Sequence, residues 1–231
     1  MKSPYDEVFF QTKLNQSKYT SEIFYKILRE QIGDIKSTLD IGCGTGSWLK
    51  NFSIFGVNDI LGIDYYVDLN FLEIPKDKFK KLDLSKPLDL KRKFDVILCL
   101  EVAEHIPVTA SNTLIDSLVK HSDYIVFSAA IPGQGGCNHI NEQWQEYWVR
   151  KFASNNYTAL DCFRPKLWND NKIPFWFKQN TLLYYNKERN INQNINSSII
   201  NIVHPDLFAH TLSQSKISSS LLKKIYNKFF K

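Results

Sequence analysis

Four groups of residues in this 231-residue chain have the types and spacing to do chemistry. The first is Asp40 with glycines at 42, 44 and 46, in the run LDIGCGTG over 39–46. Glycine at alternate positions lets the backbone bend sharply and approach a ligand with no Cβ in the way, and a helix starting near Ser47 offers free N–H groups there. A pyrophosphate would suit such a turn, but the Asp40 carboxylate repels phosphate and suits a ligand carrying an ammonium group. A plain strand-to-helix turn uses the same residues, so the glycines alone are weak evidence. The second group is Asp64 and Asp83. Asp64 ends an apolar run about 20 residues past the glycines, where a ribose diol is normally gripped. Asp83 is placed to accept from an adenine amine, with Leu84 supplying a backbone N–H and an apolar wall; taken singly, Asp83 reads as a solvated strand-end acid. The third group is Glu101, Glu104 and His105, an ExxEH pattern, and the fourth is His139. Two carboxylates and two imidazoles suit Mg, Mn or Zn. Without a metal, His139 or His105 could act as a general base toward a hydroxyl nucleophile. Structural roles compete: His105 could cap a helix or touch the cofactor edge, and His139 could brace its glycine-rich loop.

These residues need a scaffold that gathers them on one edge. Short apolar runs over 37–41, 59–64, 79–84 and 94–100 alternate with helical patterns, and the run over 94–100 is nearly continuous, as a central parallel strand covered on both faces requires. Apolar periodicity through Ile23, Phe24, Ile27 and Leu28 predicts a helix over 21–31, stopped by Gly33. A helix over 108–121, a strand over 124–131, a loop opening at Pro132 and a helix over 141–154 capped by Asn141 follow. Strands over 157–163 and 181–185 end this α/β pattern. In open parallel sheets ligands bind outside the carboxyl ends of the strands, which is where the acids and histidines fall.

The blocks LDIGCGTG, the acid ending the second strand, the acid after the third, and FDVILCLEVAEHIP over 94–107 together resemble the class I S-adenosylmethionine-dependent methyltransferases. The resemblance implies an α/β, Rossmann-like, seven-stranded, mostly parallel sheet with helices on both faces and the last strand antiparallel. It also implies that Asp40, Gly42, Gly44 and Gly46 surround the methionine part of S-adenosyl-L-methionine, Asp64 its ribose, and Asp83 and Leu84 its adenine. Cys43, Tyr65, Leu100 and Glu101 join that cofactor-binding set. A looser similarity, in His139 to Trp144 (HINEQW), Tyr147-Trp148, Arg164-Pro165 and Gln179-Asn180, is to methyltransferases associated with surface-polysaccharide and sugar-tailoring enzymes. It implies O-methylation of a sugar, nucleotide-sugar or other small hydroxylated metabolite, with His139 as base. The ExxEH pattern is also similar to metal-dependent small-RNA 2′-O-methyltransferases and quinone-precursor O-methyltransferases, in which Glu101, Glu104, His105 and His139 would hold Mg or Mn.

Composition narrows the partners. With 43% hydrophobic residues the chain can bury one good core. The organisation expected is an N-terminal helical lid over 1–34, a methyltransferase domain over 35–188 and a tail over 189–231. A net charge of +5 is modest, and the lysines are dispersed, so nucleic acid is permitted without being indicated. Four cysteines without CxxC spacing read as reduced thiols in a cytoplasmic protein. The polar start and the absence of a run of about 18 apolar residues speak against secretion and a membrane span. Tyr5, Phe9 and Phe10 could cover the cofactor, and the aromatic connection over 164–177 could wall the acceptor site or form a flap or dimer contact. The segment 190–196 is asparagine-rich, a connector. Leu221, Leu222, Ile225 and Phe229 line one side of a basic helix suited to the domain's own surface, a second subunit in a homodimer, or a membrane surface.

Overall fold

The computed structural model describes residues 7–189 and 200–214, with side chains over 17–189 and 200–211. Seven strands form one sheet: β1 (Ser37–Ile41), β2 (Asp59–Asp64), β3 (Phe79–Lys81), β4 (Val96–Leu100), β5 (Tyr124–Ser128), β6 (Tyr157–Leu160) and β7 (Leu182–Asn186), in the order β3-β2-β1-β4-β5-β7-β6. β1 lies between β2 and β4, parallel to both, with Leu39 opposite Leu61 on one side and Ile97 on the other. Chain direction across the sheet therefore reverses at β1 and β4, the switch point where a crevice opens in doubly wound sheets. β7 runs antiparallel to both β5 and β6.

The helices are α1 (Glu7–Ile32), α2 (Ser47–Ile54), α3 (Ser111–His121), α4 (Gln145–Ala153), α5 (Arg164–Leu167), α6 (Phe175–Asn180) and α7 (Pro205–Gln214). Two apolar clusters cover the two faces. Phe24 and Leu28 of α1, Leu49 and Phe52 of α2, and Phe163 and Leu167 fill one; Leu114, Ile115 and Leu118 of α3 with Trp148 and Phe152 of α4 fill the other. The central strand β4 contributes alternately to each, which is why its sequence carries no polar alternation.

Several boundaries differ from the sequence reading, for local reasons. α1 begins at least as early as Glu7, because no Gly or Pro interrupts the chain between Pro4 and Gly33. β3 stops at Lys81, since the Asp83 carboxylate accepts from the Ser85 amide at 2.9 Å and turns the chain. Asn141 is not a helix cap. It is buried, donating to the Ala103 carbonyl and Ser111 Oγ, and α4 starts four residues later with Trp144 at its N-cap. β5 and β6 stop at Ser128 and Leu160, three residues short of their apolar runs. Beyond β6, a buried bidentate pair between Arg164 and Asp161 opens α5. The aromatic connection turns inward: Phe163 and Phe177 lie 4.7 and 5.7 Å from the Phe24 ring, centroid to centroid, so these rings serve the core and not an acceptor wall. The expectations for Tyr5, for 190–196 and for the helix through Leu221 and Phe229 lie outside the described residues, as do the side chains of Phe9 and Phe10. Among the described residues no helix is long and apolar enough to cross a membrane.

Candidate functional site

The glycine turn leaves β1 and is tied to β2: the amides of Gly42 and Cys43 both donate to the Ile63 carbonyl, at 2.8 and 3.1 Å. Gly42 has φ 75°, and a Cβ there would sit 2.3 Å from Val102 Cγ2. Gly44 has φ 54° with nothing within 4 Å of an added Cβ, so the backbone is bare toward an open cleft. Gly46, also left-handed, precedes α2, which starts at Ser47 as its sequence implies. The Cys43 side chain is buried beneath the turn against Gly62, away from the strand in which the sequence reading placed it.

Three acids surround this turn and differ in their surroundings. Asp40 is 5% exposed and makes no hydrogen bond through its carboxylate among the described residues. Burial, followed by the charge of Asp64, pushes its carboxyl up to about 8. Asp64 is anchored, with Oδ2 accepting from Gly44 N at 2.9 Å and Oδ1 from Tyr66 N at 2.8 Å, and each oxygen keeps a lone pair for another donor. Asp83 stands in solvent past β3, its Oδ1 taken by the amide and hydroxyl of Ser85, which hold it below the usual carboxylate range. Leu84 with Asp83, Ile41 and Leu114 lines a cavity of about 230 Å³ on this side of the sheet. Tyr65 is half exposed beside Asp64.

Across the switch point, β4 ends at Leu100 and Glu101 follows with φ 55°. That left-handed backbone costs a non-glycine residue about 1–2 kcal/mol. It is held because the Glu101 amide bonds to Ser128 O and Oγ while its carboxylate accepts from Gln134 Nε2 (3.1 Å) and Asn180 Nδ2 (3.2 Å). Asn180 and Gln179 both donate to Gln134 Oε1 as well, and Gln179 Oε1 receives the amide of His204. A polar core network thus runs from Glu101 to the segment preceding α7.

Glu104 is fully buried, and neither carboxylate oxygen has a hydrogen-bond partner among the described residues. Burial and then the Glu101 charge push its carboxyl up to about 9. Its carbonyl, by contrast, is clamped by the amides of Ile140 and Asn141, which ties the loop after β5 to the loop after β4. This clamp brings His139 beside His105, with rings 5.0 Å apart at 81°. Glu104, His105 and His139 each offer a ligating atom, all within 4.8 Å of one another. Glu101 is not in that group; its carboxylate is engaged by the two amides named above.

Both imidazoles are oriented from behind. His105 Nδ1 donates to the Asn138 carbonyl at 3.3 Å, and burial, with His139 nearby, holds His105 below its ordinary range. His139 Nδ1 lies 2.9 Å from Glu142 Oε1, and the same carboxylate takes the amides of Gly133 and Gly135. With Nδ1 engaged in each ring, Nε2 is the atom left to bind a cation or exchange a proton. Glu142, Gln134 and Asn180 escaped the sequence reading as site residues. The spacing of His139 and Glu142 was available as a signal for the first. The other two become visible only when β7 and the loop after β5 meet.

An orphaned, buried carboxylate beside two imidazoles fits a divalent cation. A bare turn beneath a buried acid, with a second acid anchored at the next strand, fits a nucleoside carrying positive charge. Residues 16–193, most of the chain, match the family described as Methyltransferase domain. Among curated proteins none matches by sequence. The fold is similar to the magnesium protoporphyrin IX methyltransferase ChlM from Synechocystis PCC 6803 with bound SAH, at 15% identity and TM-score 0.55, covering 80% of this chain and 90% of that one. It is also similar to the methyltransferase domain of bacterial CtHen1-C (16% identity, TM-score 0.51, 75% and 98% covered) and to PKMT2 from Rickettsia typhi in complex with AdoHcy (16%, 0.53, 78% and 55%). With a glycine turn, a strand order and a family match that agree, this chain belongs to the methyltransferase-domain family and is an S-adenosylmethionine-dependent methyltransferase.

Proposed function

We propose that the protein methylates a hydroxyl oxygen of a small polyhydroxylated acceptor, a sugar or nucleotide-sugar, and that Glu104, His105 and His139, with Glu101 beside them, hold a divalent cation at the acceptor. The carrying observation is Glu104: a carboxylate with both oxygens buried and unpartnered, next to two imidazoles whose Nδ1 atoms are already engaged. A carboxyl in that position either stays protonated or meets a cation, and the two imidazoles complete a donor set suited to Mg, Mn or Zn. When bound, such an ion supplies acidification of a hydroxyl that is otherwise a poor nucleophile at neutral pH.

S-adenosylmethionine brings a methyl group already activated by positive sulfur. The chain's own task is to place an acceptor lone pair in line with that carbon and keep water away. Asp40 would take the ammonium group, Asp64 the ribose hydroxyls, and Asp83 with Leu84 the adenine edge; Gly42, Gly44 and Gly46 would let the methionine part lie on the backbone. The methyl carbon leaves sulfur for oxygen, the sulfur keeps the bonding pair, and the hydroxyl proton passes to a base at the acceptor. With Nε2 given to the cation, His139 has no lone pair for that proton, which goes to a water at the acceptor; the Glu142 contact supports a second reading, with no metal, in which His139 takes the proton as general base.

The deciding experiment strips metal from the purified protein, titrates Mn back while counting bound ions, and follows label from the cofactor into a panel of nucleotide-sugars, sugar phosphates, quinone precursors and short RNAs. The expected result is transfer to a carbohydrate hydroxyl that vanishes on stripping and returns with Mn. Undiminished turnover without metal leaves the general-base reading standing in its place. Label entering RNA alone, with affinity falling steeply as salt rises, replaces the carbohydrate acceptor by a nucleic acid.

A further inference from the structure

A groove with a cavity volume of about 710 Å³ lies between α3 and α4, on the face of the sheet away from α1 and α2. It is within the range of about 300–1,000 Å³ typical of small-ligand sites. Its upper end starts where the catalytic loops end. Asn141, whose amide clamps the Glu104 carbonyl, accepts from Gln143 Nε2 at 3.0 Å, and Gln143 and Trp144 form the groove's rim. On the other wall Ser111, bonded to Asn141, is followed by Asn112. The groove's rim is therefore hydrogen-bonded, through Asn141, to the loop that carries His139.

Its chemistry is uniform along its length. Trp144 is 43% exposed, with no ring stacked on it among the described residues, and its backbone is fixed as the N-cap of α4. Asn112, Gln143, Asn155 and Asn201 supply planar amides. Two cations line the groove, and each is engaged: Arg150 by Glu146 Oε1 at 2.6 Å, Lys151 by Asn112 Oδ1 at 2.6 Å and by the Tyr147 ring. Glu146 and Asp116 balance them in sign, so the groove presents no surplus positive charge to a polyanion. A rigid exposed indole accepts the apolar C–H face of a pyranose, and amides at the groove walls match vicinal hydroxyls in both donor and acceptor sense.

We infer that this groove binds a neutral glycan chain attached to the hydroxyl-bearing sugar, making the acceptor an oligosaccharide; this rests on the carbohydrate reading of the site proposed above. Trp144 supplies the stacking platform, and Asn112 and Gln143 the first hydrogen bonds beyond the reacting ring.

The test presents the full-length protein to an array of neutral and charged oligosaccharides and, separately, to a ten-nucleotide single-stranded RNA, then measures affinity for the retained glycans in solution. Wild-type protein retains neutral oligosaccharides. Trp144→Ala weakens that affinity at least tenfold and Trp144→Phe no more than threefold, with both variants melting within a few degrees of wild type. Glu104→Gln, altered at the proposed metal site, retains the glycans while losing transfer; methyl transfer to a single-sugar acceptor with no oligosaccharide retained marks failure of this inference alone, and glycans retained through Trp144 with no methyl transferred to any sugar by the wild type mark failure of the reading it rests on. No glycan retained by the wild type, glycan affinity indifferent to Trp144→Ala, or retention of the RNA in place of glycans would each overturn the inference.

Discussion

Asp40 and Glu104 sit on opposite sides of the switch point, both buried and both pushed toward neutrality, to about 8 and about 9, yet they are kept in different company. The acid nearest Asp40 is Asp64, which is fastened by two backbone amides. The acid nearest Glu104 is Glu101, which is fastened by two side-chain amides, and Glu104 faces two imidazoles besides. On the roles proposed above, the first pair suits a ligand of single positive charge lying on bare backbone, and the second offers one carboxylate and two imidazoles as donors. Burying an acid is costly in both places, and each carboxyl either keeps its proton or meets a cation. On that reading the neighbours, and not the acid, select the cation.

The sharpest way to break this comparison is to neutralise each acid in turn. Glu104→Gln is expected to weaken divalent-cation binding by more than the 10–100-fold that changes behind a ligand produce, and to reduce transfer accordingly, while cofactor affinity stays within about threefold. Manganese titration and cofactor calorimetry on the same preparation check it. Equal losses of both ligands would mean that the two halves form one site.

Asp40→Asn is the mirror variant, with a smaller effect. A hydrogen bond to a charged group is worth about 1.5–3 kcal/mol, so cofactor affinity should fall about 10–100-fold with metal binding unchanged. The pH dependence carries the sign. Ligand-free Asp40 holds its proton up to about pH 8, and an ammonium group requires the ionised form. Cofactor binding near pH 7 therefore releases close to one proton, and affinity climbs about tenfold per pH unit toward 8 and then levels. Stability runs the other way: a carboxyl raised from 3.8 to about 8 favours the folded chain fully below the lower value, and this contribution is lost as pH rises through the upper one. Asp40→Asn should flatten both slopes, measured by calorimetry at several pH values and by denaturant midpoints.

Asn180→Ala probes how the second half is held together. Asn180 sits behind Glu101, so its removal should cost about tenfold in metal affinity, the low end for such partners because Gln134 still donates. Rescue by Asn180→Asp is not expected, since a third carboxylate would meet Glu101 directly. A rescue would show that the amide's donation is not what positions it.

The two halves were also unequally legible in sequence. The glycine turn, Asp40 and Asp64 fall within 25 residues and one βαβ unit, so spacing alone carried their arrangement. The strand count and the antiparallel β7 were implied by the family resemblance that these residues carry, whereas the strand order emerged only from the fold. Glu101, Gln134 and Asn180 are separated by up to 79 positions, and their meeting depends on β5 pairing with β7. No local pattern carries that. Asn141 reads as a helix cap because caps are its commonest use; only the fold reveals that it is turned inward to fasten Ser111 and the Glu104 loop. The aromatic connection after β6 similarly advertised a ligand wall, whereas Phe163 and Phe177 were needed to close the core over Phe24.

Asp83→Ala should have the smallest effect, and it refines the first half of the comparison. Unlike Asp40 it lies in solvent, and unlike Asp64 it keeps only Oδ2 free, since Ser85 occupies Oδ1 twice. An exposed hydrogen bond of this kind is weak, so cofactor affinity should fall only about two- to fivefold. The demethylated product should lose as much, because the nucleoside end is the same in both, whereas Asp40→Asn and Asp64→Asn should each cost more. A loss near a hundredfold would instead make the turn after β3 a rigid part of the site. The Ser85 contacts would then serve to aim Oδ2 at the ligand, and Ser85→Ala should reproduce most of the defect without altering either carboxylate.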